Sequence, residues 1–161
     1  MTNKIWEMSA VEAHSLLKRK KISAKEILES SIERIEEIDR DLNALPEKCY
    51  DRARELALRI DTDLSPRKPT DLLGLPIAVK DYNDLSGVRT TYGSTIFRNN
   101  IPTESDRTIK ILERNGANPV AKSNVPEWAG GHTFNPVNGL TRNPWDVSKS
   151  AGGSSGGSAS A

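Results

Sequence analysis

The apolar positions in the first 60 residues recur with helical spacing. Ser9 and Ser23 are each followed three residues later by a glutamate. In this pattern the two side chains pair with backbone N–H groups that the start of a helix leaves unbonded. We therefore predict that a helix begins after each serine, and that the second helix packs by one apolar stripe among its acidic residues. The stripe consists of Leu28, Ile32, Ile35 and Leu42.

A third helical stretch is predicted from about Pro46 to Ile60, where apolar residues are spaced among paired charges. The segment from Ser65 to Pro69 contains two prolines and interrupts the periodicity. Proline removes a backbone donor and does not continue a helix, so this segment is predicted to be a surface loop.

The character of the chain changes near Gly74. Residues 1–73 contain no glycine, and all 11 glycines lie between Gly74 and Gly157. Residues 75–79 and 119–121 read as short buried strands, and Pro76 restricts the first to a sheet edge or a bulge. Between them we predict a helix that carries Ile109 and Leu112, capped by residues 103–106 and ended by Gly116. After Lys122 the sequence predicts mainly loops.

This strand, helix, strand order is typical of α/β sheets. We therefore predict two regions, a helical region over residues 1–72 and the start of an α/β core over residues 73–161. The two short strands have no central partner that the sequence reveals, so the isolated chain is expected to fold poorly, with residues 141–161 the least ordered.

Composition and charge narrow the classes of partner. The formal net charge is +1, so no long-range field would attract nucleic acid or an anionic membrane. No apolar run approaches the roughly 20 residues of a membrane span, and residues 1–9 lack the apolar stretch of a signal peptide, so a cytoplasmic location is expected. One cysteine and two separated histidines predict neither a disulfide nor a zinc site.

The Gly/Ser-rich segment from Gly152 to Ala161 has three interpretations. Its composition by itself favours a flexible linker. It also matches Gly-x-Ser-x-Gly, but that nucleophile turn follows a strand, which residues 148–151 do not resemble. The third interpretation is a tight turn that brings backbone N–H groups and a serine hydroxyl close to a substrate. Lys80, at the end of the first strand, bears on the choice because a buried lysine can lose its proton and act as a base for such a hydroxyl.

Five blocks of sequence point to one family. They are Gly-Leu-Pro-Ile-Ala-Val-Lys-Asp at 74–81, Thr-Thr-Tyr-Gly-Ser at 90–94, Ala-Lys-Ser-Asn-Val-Pro-Glu at 121–127, Thr-Arg-Asn-Pro-Trp-Asp at 141–146 and Gly-Gly-Ser-Ser-Gly-Gly-Ser at 152–158. In order and spacing the chain resembles the N-terminal portion of the amidase signature enzymes, from about Ser9 to Ala161. The resemblance implies an α/β fold in which helices sandwich a mixed sheet, here incomplete.

The resemblance also implies a Ser-cisSer-Lys triad. Lys80 matches its lysine and Ser154 its bridging serine, with a cis peptide bond between Gly153 and Ser154 in a turn that continues into Ser155. Such enzymes hydrolyse a carboxylic amide to an acid and ammonia or an amine through a serine acyl-enzyme, without a cofactor. The implied partner is a small-molecule amide, and the resemblance allows a homodimer of the full-length enzyme.

The chain departs from the family pattern at the nucleophile. In the family this serine belongs to a Gly-Gly-Ser block whose backbone forms the oxyanion hole, and the resemblance places that block beyond Ala161. Ser158 and Ser160 belong to the segment after the turn and are not assigned this role. The chain as given is therefore expected to be an inactive N-terminal fragment of an amidase.

Two other interpretations stay open. The glutamyl-tRNA(Gln) amidotransferase A subunit shares the five blocks, but it usually reads Asp-Glu-Phe-Ala-Met-Gly where residues 126–131 read Pro-Glu-Trp-Ala-Gly-Gly, which favours a free-standing amidase. A non-catalytic interaction fragment is the remaining alternative. We expect a substrate-contacting loop at residues 130–133, although His132 also reads as an ordinary loop residue. The loop consists of Gly130, Gly131, His132 and Thr133.

Overall fold

Both predicted N-terminal helices begin where the capping boxes place them. In the computed structural model, which describes residues 4–64 and 71–161, α1 spans Ala10–Lys18 and α2 spans Ala24–Leu42. The hydroxyl of Ser9 accepts the N–H of Glu12, whose carboxylate in turn accepts the Ser9 N–H. The same reciprocal pair forms at the start of α2. The local sequence thus determines both helix starts.

The apolar stripe of α2 lies in the main core, as predicted. Leu28, Ile32 and Leu42 are buried, and Ile35 packs against them from a partly buried position. Helix α3, which spans Tyr50–Thr62, and a strand described below complete this core. Burial of each large aliphatic side chain contributes about 1.5–3 kcal/mol, so this stripe is a principal source of stability.

Helix α3 begins later than the sequence predicted. The residues before it, Glu47–Lys48, form a short strand, β1, and the N–H of Cys49 donates to the carbonyl of Val120. These backbone groups gain partners on a distant strand, which helical propensity does not report. The start at Pro46 is therefore wrong by four residues. The predicted loop from Ser65 to Pro69 lies outside the described residues.

The strand, helix, strand unit is confirmed. It consists of β2 over Pro76–Lys80, α4 over Arg107–Arg114 and β3 over Asn118–Ser123. β2 pairs in parallel with β3, and β1 pairs antiparallel with the other edge of β3, which gives a mixed sheet in the order β1-β3-β2. In this sheet β2 is an edge strand, as Pro76 predicted. The two strands thus pair with each other, and β3 is the central strand because β1 pairs with its other edge, which the sequence did not reveal. Poor folding of the isolated chain stays a prediction.

The predicted cap of α4 differs in detail. Asp106 is the residue before the helix, but its carboxylate makes no capping hydrogen bond. It accepts hydrogen bonds from Asn83 Nδ2 and from the N–H of Asp84 instead. Gly116 ends the helix in a left-handed conformation with φ of 81°, as predicted.

The C-terminal third is more regular than predicted. Two short antiparallel pairs and a last helix follow β3, and they fold back onto it around buried amides. Asn135 Nδ2 donates to Asn124 Oδ1 at 2.8 Å, and Asn124 Nδ2 donates to Thr141 Oγ1 at 3.0 Å. Hydrophobic periodicity does not detect a segment whose buried groups are polar. The elements are β4 (Phe134–Asn135), β5 (Gly139–Leu140), β6 (Arg142–Asn143), β7 (Asp146–Ser150) and α5 (Gly156–Ser160).

Candidate active site

The candidate site lies where the parallel strands β2 and β3 end together. Lys80 is the last residue of β2 and is directly opposite Ser123, the last residue of β3. Because residues opposite each other in a sheet share a face, both side chains project to the same side. Helix α5 contacts both strands on this region of the sheet.

The Gly/Ser segment brings a serine to Lys80. Lys80 Nζ lies 2.8 Å from Ser154 Oγ, a hydrogen bond between residues 74 positions apart. The Gly153–Ser154 peptide bond is cis, as the resemblance implied. Both side chains are part-buried, so the pair is held by the fold yet open on one side. A neutral lysine amine in this position can take a proton from the serine hydroxyl.

Glycines in this segment are required by close packing. A Cβ at Gly153 would collide with the carbonyl of Gly131, and one at Gly156 would lie 2.7 Å from Thr133 Cβ. A Cβ at Gly157 would lie 2.5 Å from the carbonyl oxygen of Ala44 and overlap the backbone nitrogen of Asn124. The segment is therefore a packed turn and not a flexible linker.

Replacing Gly157 with alanine is expected to lower the free energy of unfolding by about 1–3 kcal/mol, because its methyl group would meet backbone atoms that cannot rotate away. Urea unfolding measures this change. Gly130→Ala is the matched control, since its Cβ would meet no atom closer than 3.7 Å. Equal stability of the two variants would contradict the packing argument.

The predicted substrate loop reaches this turn, but its four residues differ in exposure. Thr133 is buried, its N–H donates to the carbonyl of Gly152 at 2.6 Å, and its hydroxyl accepts the N–H of Gly156 at 2.9 Å. Thr133 therefore stabilises the Gly152–Gly156 turn through hydrogen bonds from a buried position. Gly130, Gly131 and His132 are exposed, and His132 Nδ1 lies 3.1 Å from Ser150 Oγ. Contact with substrate stays a prediction for these three surface residues.

Sequence reasoning missed a buried ion pair between Lys122 and Asp81, the residue that follows Lys80. Lys122 is 0% exposed, and its Nζ lies 3.6 Å from Asp81 Oδ1 and donates to Thr90 Oγ1 at 2.8 Å. The Asp81 carboxylate also accepts the N–H and hydroxyl of Thr91. Burial raises the pKa of Asp81 and lowers that of Lys122, while each charge opposes the shift of its partner. The signal in the sequence was a lysine directly after the apolar run Pro119–Val120–Ala121.

Two serine hydroxyls meet at the end of β3, next to Lys80 in the sheet. Ser123 Oγ is 2.6 Å from Ser158 Oγ, and Ser123 is fully buried. This contact ties α5 to the end of β3, next to the Lys80–Ser154 pair. The parallel register, which the sequence did not reveal, is what places Ser123 beside Lys80. Within the part of the chain that the structure describes, no three His, Cys, Asp or Glu side chains gather in a way that could hold a metal ion.

A family model for the amidases matches residues 26–161. The chain belongs to the amidase signature family. Relatives with assigned names include the glutamyl-tRNA(Gln) amidotransferase subunits A of Thermoanaerobacter pseudethanolicus and Geobacillus kaustophilus, which are 35% and 37% identical to it. The matches cover 98% of this chain in both cases, but only 32% and 33% of the relatives. The chain thus spans about a third of their length.

Solved amidase structures share the fold. A bacterial aryl acylamidase of the amidase signature family superimposes with a TM-score of 0.87 and 33% identity over 95% of this chain and 32% of its own. A complex described as revealing the evolutionary origins of an s-triazine catabolic enzyme gives a TM-score of 0.88 at 35% identity, over 95% of this chain and 34% of that one. The predicted α/β class with a mixed sheet is therefore confirmed. Among residues 4–64 and 71–161, no helix has both the length and the apolar character needed to cross a bilayer.

Proposed function

We propose that the chain is the N-terminal part of an enzyme that hydrolyses the C–N bond of a small-molecule carboxylic amide through a serine acyl-enzyme. The observation that carries this proposal is the 2.8 Å contact between Lys80 Nζ and Ser154 Oγ at the sheet edge. Membership of the amidase signature family supports the same class of reaction.

In the proposed mechanism, neutral Lys80 accepts the proton of the Ser154 hydroxyl, and Ser154 accepts the proton of a nucleophilic serine. That serine, which the family resemblance places beyond Ala161, attacks the amide carbon. The tetrahedral intermediate collapses when the C–N bond breaks, and the proton returns along the same relay to the leaving amine. Water then attacks the acyl carbon of the ester and gives a proton to the relay. The bond between the acyl carbon and the serine oxygen breaks, the relay returns the proton to that oxygen, and the acid is released.

The partners and location belong to the same proposal. These 161 residues carry a net charge of +1, which gives no long-range attraction to nucleic acid or to an anionic membrane. We propose a small-molecule amide as the partner and the cytoplasm as the location. The scheme uses no cofactor, because the relay transfers the protons and an oxyanion hole stabilises the negative charge of the tetrahedral intermediate. Assembly of the full-length enzyme as a homodimer is compatible with the scheme.

A second candidate is a glutamyl-tRNA(Gln) amidotransferase A subunit, favoured by the names of the relatives at 35% and 37% identity. Against it stands the Pro-Glu-Trp-Ala-Gly-Gly sequence of residues 126–131, which departs from the usual pattern of that subunit. The experiment that separates the candidates measures ammonia or amine release from simple amides, and transamidation of glutamyl-tRNA(Gln), by the product of the complete reading frame. Hydrolysis without transamidation supports the proposal, the reverse supports the A subunit, and neither supports the non-catalytic fragment.

The 161-residue chain alone is expected to release no product above background. Without the attacking hydroxyl and the oxyanion donors, Lys80 and Ser154 have no bond to act on, and one oxyanion donor by itself contributes about 10²–10³ in rate. The assay compares purified chain with buffer and with the Lys80→Ala variant. Hydrolysis by the chain that Lys80→Ala abolishes would contradict the expectation.

A further inference from the structure

One buried threonine holds the turn on both sides of Ser154. The N–H of Thr133 donates to the carbonyl of Gly152 at 2.6 Å, and the N–H of Gly156 donates to the Thr133 hydroxyl at 2.9 Å. Gly152 lies two residues before Ser154, and Gly156 lies two residues after it. Thr133 is 0% exposed and its bond to Gly156 is buried. Because hydrogen bonds inside a protein are electrostatically stronger than in water, Thr133 restrains both flanks of the serine.

The same turn packs tightly against the backbone that leads into Thr133. A Cβ on Gly153 would overlap the carbonyl oxygen of Gly131 and lie 3.1 Å from the Cα of His132. A Cβ on Gly156 would overlap the Thr133 hydroxyl. Close packing and hydrogen bonds therefore limit the position of the same turn.

Hydrogen bonds also fix Thr133 to the end of β3. The Thr133 carbonyl accepts the N–H of Thr141 at 3.0 Å, and the Thr141 hydroxyl accepts from Asn124 Nδ2 at 3.0 Å. Asn124 directly follows β3. The Thr141 carbonyl accepts the N–H of Ala151, which precedes the turn, and the Asn124 carbonyl accepts the N–H of Gly157, which follows it. This network joins the end of β3 to both ends of the turn.

The network determines how Ser154 lies relative to Lys80. Lys80 ends β2, which pairs with β3, so both side chains are held by the same sheet. The distance from Lys80 Nζ to Ser154 Oγ is 2.8 Å. Direct proton transfer requires a heavy-atom distance of about 2.6–3.2 Å. A displacement of about 1 Å can lower a rate about 10²-fold, so the position of the turn bears directly on the proposed relay.

We propose that Thr133 is a positioning residue, whose hydroxyl holds the turn so that Ser154 stays within hydrogen-bond reach of Lys80. The inference rests on the proposed function and adds a residue to its machinery. Thr133 acts through Ser154 and transfers no proton itself. This buried role differs from the contact with substrate that the sequence predicted for Thr133.

The first test measures hydrolysis of acetamide by the product of the complete reading frame and by its Thr133 variants. Thr133→Val replaces the hydroxyl with a methyl group and leaves the Gly156 N–H without its acceptor. Its kcat is expected to fall about 10²-fold and its KM to stay within about twofold, because the relay is displaced and the groups that bind substrate are unchanged. Thr133→Ser keeps the hydroxyl and should recover most of the loss.

A double variant separates positioning from a general loss of structure. In the Ser154→Ala background, Thr133→Val should lower kcat by no more than a few fold, because the group that it positions is already absent. Thr62→Val is the matched control for loss of a threonine hydroxyl, since Thr62 donates to the Leu58 carbonyl at the exposed end of α3. It should leave kcat unchanged. If Thr133→Val does not fold, Thr133→Ala removes the hydroxyl without adding a methyl group next to Gly156.

Hydrogen exchange and crystallography of the same complete protein provide readouts that need no substrate. The Gly156 amide should exchange about tenfold faster in Thr133→Val than in Thr133→Ser, because only the serine offers it a hydrogen-bond acceptor. In a crystal structure of Thr133→Val, the distance from Lys80 Nζ to Ser154 Oγ should exceed about 3.5 Å, which is too long for a hydrogen bond.

The outcomes separate this inference from the proposed function. Hydrolysis with an unchanged kcat in Thr133→Val, with an equal loss in Thr133→Ser, or with the full loss repeated in the Ser154→Ala background overturns the positioning role and leaves the hydrolase intact. No hydrolysis, but faster Gly156 exchange and a separated Lys80–Ser154 pair in Thr133→Val, overturns the hydrolase and supports the positioning role. No hydrolysis and neither structural change overturns both.

Discussion

In the complete enzyme, Lys80→Ala and Ser154→Ala are each expected to lower kcat by about 10³- to 10⁴-fold. The two side chains are joined by a 2.8 Å hydrogen bond and would carry one proton between them. Loss of either side chain breaks the same proton path. The kcat of the double variant should therefore lie within a few fold of the kcat of the slower single variant. Steady-state kinetics on one amide substrate measure all three.

Matched controls are available on the exposed hairpin of β6 and β7. Lys149 and Ser148 each pair with Asp146 there, and Lys149→Ala and Ser148→Ala should retain kcat within about twofold, as exposed pairs contribute little. Multiplicative losses in the Lys80→Ala/Ser154→Ala double variant would show that the two residues do not share a proton path.

Replacing Lys122 with methionine is expected to lower the free energy of unfolding by about 3–5 kcal/mol, because it leaves the buried Asp81 carboxylate without its cation. Adding Asp81→Asn should restore part of the loss, since the uncompensated charge is then removed. Urea unfolding of the single and double variants measures both effects. Lys110→Met is the control, because Lys110 pairs with an exposed Glu104 at the surface and should change stability by about 0.5 kcal/mol or less.

The stability loss in Lys122→Met should depend on pH. Burial raises the pKa of Asp81 and the Lys122 charge opposes that rise, so removing Lys122 raises the pKa further. Between the ordinary value and this raised value, the folded variant holds a proton that the unfolded chain has released. Stability therefore falls as pH rises from the ordinary aspartate pKa, about 3.9, through the raised value. The loss should be largest at neutral pH and shrink towards pH 4. A loss that does not change with pH, or one no larger than that of Lys110→Met, would contradict the ion-pair argument.

The sequence by itself determined the elements whose signals are local. Ser9 and Ser23 fixed the two helix starts through side chains three residues away, and the stripe from Leu28 to Leu42 identified the buried face of α2. The strand, helix, strand unit followed from apolar runs bounded by glycine and proline. For the candidate site, the pairing of Lys80 with Ser154 came from ordered motifs that resemble a family, because no periodicity relates residues 74 positions apart.

Only the tertiary structure decided the features that depend on distant backbone. Residues 47–48 form a strand because they pair with β3. The Asp106 carboxylate accepts a hydrogen bond from the N–H of Asp84 and does not cap α4. The hydrogen bond between the buried amides of Asn124 and Asn135, the Lys122–Asp81 pair and the steric need for Gly157 all depend on contacts that only the folded chain makes. Local propensity does not predict such contacts, because their free energy depends on which polar groups and atoms the fold brings together.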